Sequence, residues 1–190
     1  LSGETDVTLS KSLASMNTQA DRMENLISEL LLLSRIESAE GVRKESRVDV
    51  VDLLRTVCSD LASAWPDREI RLHIESTETI LGDAPELRSA INNLVVNALK
   101  YSEDGAVTVT WCDSTTGPAL VVEDQGIGIL EKHVPRLTER FFRVEKSRSQ
   151  DTGGTGLGLA IVKHVAVSHQ AKLVVDSKIG EGSCFKLLFS

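Results

Sequence analysis

Asn93-Leu94-Val95-Val96-Asn97-Ala98-Leu99-Lys100-Tyr101 is the stretch from which the architecture can be worked out. Its spacing predicts part of a helix running over residues 84–101, in which Asn93, Asn97 and Lys100 fall at i, i+4 and i+7 and project from one face. The apolar positions are left to face a sheet. Asn is a poor helix former, and a plain surface would more cheaply carry Glu or Lys. Two amides and an ammonium in line can instead hold a hydrated hard cation and the phosphates it bridges, because Mg²⁺ takes oxygen ligands and keeps several waters. Taken alone, the same three residues also fit a solvated polar face.

The elements on either side mix helices and strands without regular alternation. Upstream, an amphipathic helix is expected from about residue 51 to 65, ended by Pro66, and Ile70, Leu72 and Ile74 alternate with polar residues as a half-buried strand. Downstream, Val107, Val109 and Trp111 mark a strand, followed by another over 119–123, a helix over 157–168 and two last strands over 172–177 and 184–189. This order predicts an α+β fold, a two-layer sandwich with helices on one mixed sheet, and fits a doubly wound parallel sheet less well.

Residues 9–36 read differently. Leu9, Leu13, Met16, Ala20, Met23, Ile27 and Leu30 recur at alternating spacings of three and four, which gives a helix with one long apolar stripe. Leu26 and Leu33 widen that stripe beyond a two-stranded seam and suit a helical bundle, while a helix packed on its own domain remains the alternative. Gly41 to Arg47 is polar and reads as a linker. The expected division is therefore an arm over residues 1–40, a linker over 41–47 and a domain over 48–190.

Composition bounds what this arrangement can do. A chain of 190 residues supports one well-buried core with an appendage, and 41% apolar with 26% charged residues excludes a disordered or fibrous protein. The net charge of −7 argues against nucleic acid as a partner, since phosphate backbones are held by clustered Lys and Arg. Cys58, Cys112 and Cys184 lack the paired spacing of a zinc site or disulfide framework and point to a reducing cytoplasm. No apolar run approaches the roughly 20 residues that span a bilayer, so no membrane contact by this segment is expected.

Two glycine clusters add to the polar helix face. Asp124-Gln125-Gly126-Ile127-Gly128-Ile129 follows an apolar strand, so its carboxylate can accept from an amino group such as that of adenine while the glycines let a ligand approach the backbone. A tight turn with an Asp cap fits the same residues. Gly153-Gly154-Thr155-Gly156-Leu157-Gly158-Leu159-Ala160 opens a helix and would aim backbone N–H groups and a positive helix end at phosphate. It is neither a Walker loop nor a dinucleotide fingerprint, and a flexible hinge is its alternative. Between them, Arg140 to Thr152 reads as a lid offering Arg143, Lys146 and Arg148 to phosphates, or as a plain solvated loop. His73, His133, His164 and His169 lack the flanking acidic residue and basic-Thr-Pro sequence of a phosphoacceptor and read as surface or packing residues, with no metal site among them.

In this order the clusters resemble the histidine-kinase branch of the ATP-binding superfamily that also contains gyrase, Hsp90 and MutL. The resemblance covers nearly the whole chain: Arg22-Met23-Glu24 through Ser34-Arg35-Ile36-Glu37 looks like the second dimerisation helix, and Asn93 to Ser183 carries the nucleotide-site motifs in family order. It implies a Bergerat-type ATP-binding fold preceded by part of a dimerisation and phosphotransfer hairpin whose acceptor helix is absent, with ATP and Mg²⁺ as cofactors. By this similarity Asn97 would be the Mg²⁺ ligand, Asn93 and Lys100 would lie near the phosphates, and Tyr101 against the base. Asp124 would take the adenine amino group, with Gly126, Gly128 and Ser183 bordering its pocket. Gly154, Thr155, Gly156, Leu157 and Gly158 would line the phosphates, and Lys100 and Arg143 would neutralise charge during transfer.

Thr138 stands where most of these kinases carry Phe, which predicts weaker lid anchoring. Yet Pro135 to Phe141, Arg143-Val144 and Gly153 to His164 resemble the phosphate-regulon sensor kinases, where Thr is usual. The implied partners are a second copy through the arm and a response regulator of the PhoB type, with a parent protein anchored in the bacterial inner membrane and this part in the cytoplasm. Without an acceptor helix, this chain alone is expected not to autophosphorylate. Two other readings stay open: an ATPase of the gyrase or Hsp90 type, which uses a Glu at the position matching Asn93, and a module that binds nucleotide without transferring phosphate.

Overall fold

The computed structural model describes residues 13, 16, 17, 19, 20, 23–35, 46–102, 105–144 and 154–190. Residues 23–35 form helix α1, to which the described residues before them also belong. There follow β1 (Ser46–Val48), α2 (Val50–Ala64), β2 (Ile70–Ile74), β3 (Ile80–Gly82), α3 (Ala84–Tyr101), β4 (Val107–Ser114), β5 (Gly117–Asp124), a 3-10 turn (Glu131–Arg136), α4 (Gly158–Ser168), β6 (Lys172–Lys178) and β7 (Gly182–Leu188).

One sheet carries the order β2-β4-β5-β7-β6, parallel between β2 and β4 and antiparallel elsewhere. It is mixed, as expected, and its alternating apolar residues face the helices. Val107, Val109 and Trp111 of β4 are fully buried, joined by Leu120 and Val122 of β5 and by Phe185 and Leu187 of β7. The helices meet them with Leu54, Val57 and Leu61 of α2, Leu87, Ile91, Leu94, Val95 and Leu99 of α3, and Ile161, Val162 and Val165 of α4. Each such side chain contributes about 1.5–3 kcal/mol by leaving water. Trp111 packs edge-on against Phe189, ring centroids 5.8 Å apart, and its Nε1–H donates to the Glu78 carbonyl at 3.3 Å.

Local signals fix where the helices start. Asp49 caps α2 by accepting the Asp52 N–H at 3.1 Å, and Asp83 caps α3 by accepting the Glu86 N–H at 3.0 Å, with Pro85 following in the first turn. Buried His169, just past α4, takes the Asp83 N–H on Nε2 at 3.0 Å while its Nδ1 lies 2.8 Å from the Val165 carbonyl. That cross-link ties the end of α4 to the start of α3, and Gly82 has no room for a side chain beside it: a Cβ there would sit 2.3 Å from the His169 ring.

Two short strands were not expected. β1 and β3 pair antiparallel, Arg47 opposite Leu81, outside the main sheet. At three residues each they are too short to show a period. β1 begins inside the stretch anticipated as linker; residues 36–45 lie outside the described residues, as does most of the anticipated lid, residues 145–153.

The arm divides its apolar surface. Leu33 is buried in the domain core and Leu32 packs against it, with Leu26 and Glu29 half-buried on neighbouring turns. Leu13, Met16, Met23, Ile27 and Leu30 of the predicted stripe stay exposed, Met23 by 65%. One edge of the helix thus packs on its own domain while the stripe faces away.

Candidate functional site

The three sequence clusters pack around one another. Asn93 of α3 donates from Nδ2 to the Ser89 carbonyl at 3.0 Å and turns its Oδ1 toward the start of α4, where a Cβ on Gly158 would meet that oxygen at 2.5 Å. A side chain at Gly158 would have to displace the Asn93 amide. At the other end of α3, the Tyr101 carbonyl lies where a Cβ on Gly126 would be, 2.1 Å away, and it accepts the Ile127 N–H at 3.4 Å. The first cluster therefore touches the third at Asn93 and the second at Tyr101. Asn97 and Lys100 lie between these contacts, both half-buried, and Tyr101 is exposed at the rim.

Asp124 ends β5 with only 7% of its surface exposed. Its Oδ1 accepts the Gly126 N–H at 2.8 Å. Burial pushes its carboxyl above the usual aspartate range, and hydrogen bonds from Gly126 and from the Ser183 backbone and hydroxyl pull it partly back. Ser183 sits opposite in the β5–β7 register, and its hydroxyl is 2.9 Å from that of Ser177, which accepts the Ile129 N–H at 2.8 Å. The segment carrying Gly126 and Gly128 is thereby strapped to the β6–β7 hairpin. Gly128 has φ of 67°, and a Cβ there would collide with the Lys178 carbonyl at 2.0 Å.

The third cluster opens α4, whose first turn has no side-chain cap. Its backbone donors and positive dipole end are left for an anion. Thr155 accepts the Leu157 N–H on its hydroxyl at 3.2 Å, and Arg143 donates to the Gly154 carbonyl. Leu157 is fully buried, so its side chain serves the core and only its backbone borders the site. Gly156, at φ of 76°, receives the Phe141 N–H on its carbonyl at 2.9 Å, clamping the two ends of the anticipated lid together. Phe142 lies under the Arg136 guanidinium, 4.3 Å from its ring centroid, and beside His133. This stack and buried Leu137 anchor the stem of that loop, where Thr138 alone predicts weak anchoring.

Charge is concentrated at this end. Burial lowers the Lys100 ammonium below the usual lysine range; Glu29 on the arm opposes the shift and Arg143 adds to it. No group of three or more His, Cys, Asp and Glu gathers among the described residues, so a cation here would rely on amide oxygen, water and ligand oxygens. The apolar groove of about 380 Å³ between α4 and β6, lined by Val134, Lys163, Val167 and Leu173, contains none of the three clusters.

A family model described as histidine kinase-, DNA gyrase B- and HSP90-like ATPase matches residues 82–190. The chain belongs to this family. It is 43% identical over 183 residues to the phosphate regulon sensor protein PhoR of Pseudomonas aeruginosa, covering 95% of this chain and 41% of that protein. The chain thus spans less than half the length of this relative. Among solved structures, the mycobacterial sensor histidine kinase MprB aligns with a TM-score of 0.68 at 29% identity, over 76% of this chain and 96% of that one. Full-length ShkA in complex with AMPPNP aligns with a TM-score of 0.75 at 27% identity, over 90% of this chain and 37% of that one. The sandwich of helices on a mixed sheet is therefore that of histidine-kinase ATP-binding domains.

Three members of the site in this ATPase-family domain escaped the sequence reading. Gly182, at φ of 105°, lies where a Cβ would meet the Asp124 carbonyl at 2.0 Å. The spacing Gly180-Glu181-Gly182 before Ser183 was a visible signal for it. Ser177 had none, since its role depends on strand register. Glu29 had none either: its carboxylate accepts from the Thr155 hydroxyl, 126 residues away.

Proposed function

We propose that this domain binds Mg²⁺-ATP between α3, the end of β5 and the start of α4, and presents the terminal phosphoryl group to a histidine on a separate helix. The observation that carries this reading is the convergence of the three clusters, with Asn93 against Gly158, Tyr101 against Gly126 and half-buried Lys100 on α3 between those two contacts. Asp124 takes the adenine amino group, with Gly126, Gly128, Ser183 and Tyr101 around the base. Asn97 offers the amide oxygen that suits Mg²⁺, which when bound offsets phosphate charge. Asn93, Lys100, Arg143 and the backbone from Gly154 to Gly158 hold the phosphates. Phosphoryl transfer is mostly positioning and charge neutralisation, and this set supplies both.

Transfer is favoured over hydrolysis by Asn93. An amide accepts no proton at neutral pH, and this one is committed to the Ser89 carbonyl, so a water beside it is not activated. The chain turns over ATP slowly and does not phosphorylate itself, since none of its histidines stands in an acceptor sequence. The exposed stripe of the arm supports pairing with a second copy through a helical bundle. The likeness to PhoR supports a role in phosphate-starvation signalling, relay to an aspartate of a response regulator of the PhoB type, and a parent protein anchored in the inner membrane.

The test mixes this chain with a separate polypeptide bearing the acceptor histidine and follows label from [γ-³²P]ATP. Label is expected on the acceptor and is lost with Asn97→Ala. Full transfer by Asn97→Ala overturns the Mg²⁺ assignment; intact ATP binding without transfer identifies a passive nucleotide module; rapid steady-state hydrolysis points to the gyrase type.

A further inference from the structure

Glu29 reaches the phosphate end of the site from outside the domain. Leu26, Glu29 and Leu33 share one face of α1, and burial of Leu33 in the core fixes the register that brings Glu29 inward. Its carboxylate accepts from the Thr155 hydroxyl, the same hydroxyl that takes the Leu157 N–H at the start of α4. Lys100 and Glu29 attract each other, and Arg143 acts on the same ammonium. A hydroxyl donor, an ammonium, a neighbouring guanidinium and an uncapped helix start form the set that recognises a phosphoryl group. Here a carboxylate from the arm takes the hydroxyl of that set and feels the charge of the ammonium.

We propose that Glu29 is a built-in anion occupying the phosphate end of the nucleotide site, so that docking of the arm and binding of a nucleoside triphosphate exclude one another. This rests on the ATP-binding reading above. Desolvation raises the Glu29 carboxyl, with Thr155 and Lys100 pulling it back, so the charge is held at a cost. An incoming triphosphate brings more charge to the same donors and displaces it, which frees the arm. By linkage, whatever pulls the arm away strengthens nucleotide binding by the same factor. The domain thus senses the position of its dimerisation helix through one side chain.

The experiment titrates Mg²⁺-ATP and adenosine into the full chain and into Glu29→Gln, with thermal melting to confirm equal folding. Glu29→Gln keeps the size and an acceptor for Thr155 and removes only the charge. Mg²⁺-ATP affinity is expected to rise about five- to tenfold, as for a docked state holding roughly 80–90% of molecules, with adenosine affinity unchanged. Amide exchange in residues 23–35 is expected to accelerate when Mg²⁺-ATP is added to the unmodified chain. Equal ATP affinity in both proteins, or an equal gain for adenosine, overturns the inference while leaving the nucleotide site standing. Absence of nucleotide binding by either protein overturns both.

Discussion

Replacing Asp124 by Asn removes one proton acceptor from the base end of the site and leaves its shape intact. In the folded chain the carboxylate collects the Gly126 N–H at 2.8 Å and both donors of Ser183. An amide keeps one oxygen for these and turns an NH₂ toward the rest, so one buried hydrogen bond worth about 1 kcal/mol is lost. Against that stands relief of the burial that raises the Asp124 carboxyl. A carboxyl with a raised folded value contributes stability at low pH that is lost as pH rises through that value, so Asp124→Asn flattens this dependence and leaves neutral-pH melting within a few degrees. Binding behaves differently. Loss of a charge-assisted hydrogen bond to the adenine amino group costs about 1.5–3 kcal/mol, or roughly 10- to 150-fold in affinity. GTP carries a carbonyl in place of that amino group, so its binding does not fall and the preference for ATP collapses. The unmodified chain, in turn, loses ATP affinity on acidification at a pH above the ordinary aspartate value of 3.8. Calorimetric titration of ATP and GTP across pH, with melting curves in parallel, reads all of this. Unchanged ATP and GTP affinities in a folded Asp124→Asn protein would refute Asp124 as the adenine acceptor.

Other substitutions probe the frame around the site. Gly126→Ala puts a Cβ 2.1 Å from the Tyr101 carbonyl, a backbone clash that costs about 1–3 kcal/mol and should abolish nucleotide binding while a weakened fold survives; tight binding by this variant would contradict the close approach. Trp111→Ala empties the centre of the core and loses the Phe189 contact, so melting by circular dichroism should fall by about 6–20 °C from a loss of roughly 3–5 kcal/mol.

Much of the fold was written locally. Alternation in β2 and β4 and the split of α3 into a polar line and an apolar face act within a few residues, so periodicity reveals them directly. Glycine clusters are equally legible, because a left-handed or crowded backbone leaves few alternatives. β1 and β3 were hidden, since three-residue strands exist only by pairing with each other across 34 residues of chain. The glycine-rich run places Leu157 at the nucleotide, whereas its side chain belongs to the core, since such a run does not say which way its one large residue points.

The sequence by itself determined the order of the longer elements, the polar line on α3 and the three clusters, because each is a short-range steric or hydrogen-bonding requirement. Tertiary structure alone decided their convergence: Asn93 on Gly158, Tyr101 on Gly126, Gly182 under Asp124, and Ser177 as a strap set by register. It also decided the two roles of the arm, whose stripe is readable from spacing but whose Glu29 meets Thr155 only because burying Leu33 fixes how the helix is turned. Long-range contacts arise from packing shared by many residues, and no single segment carries that information.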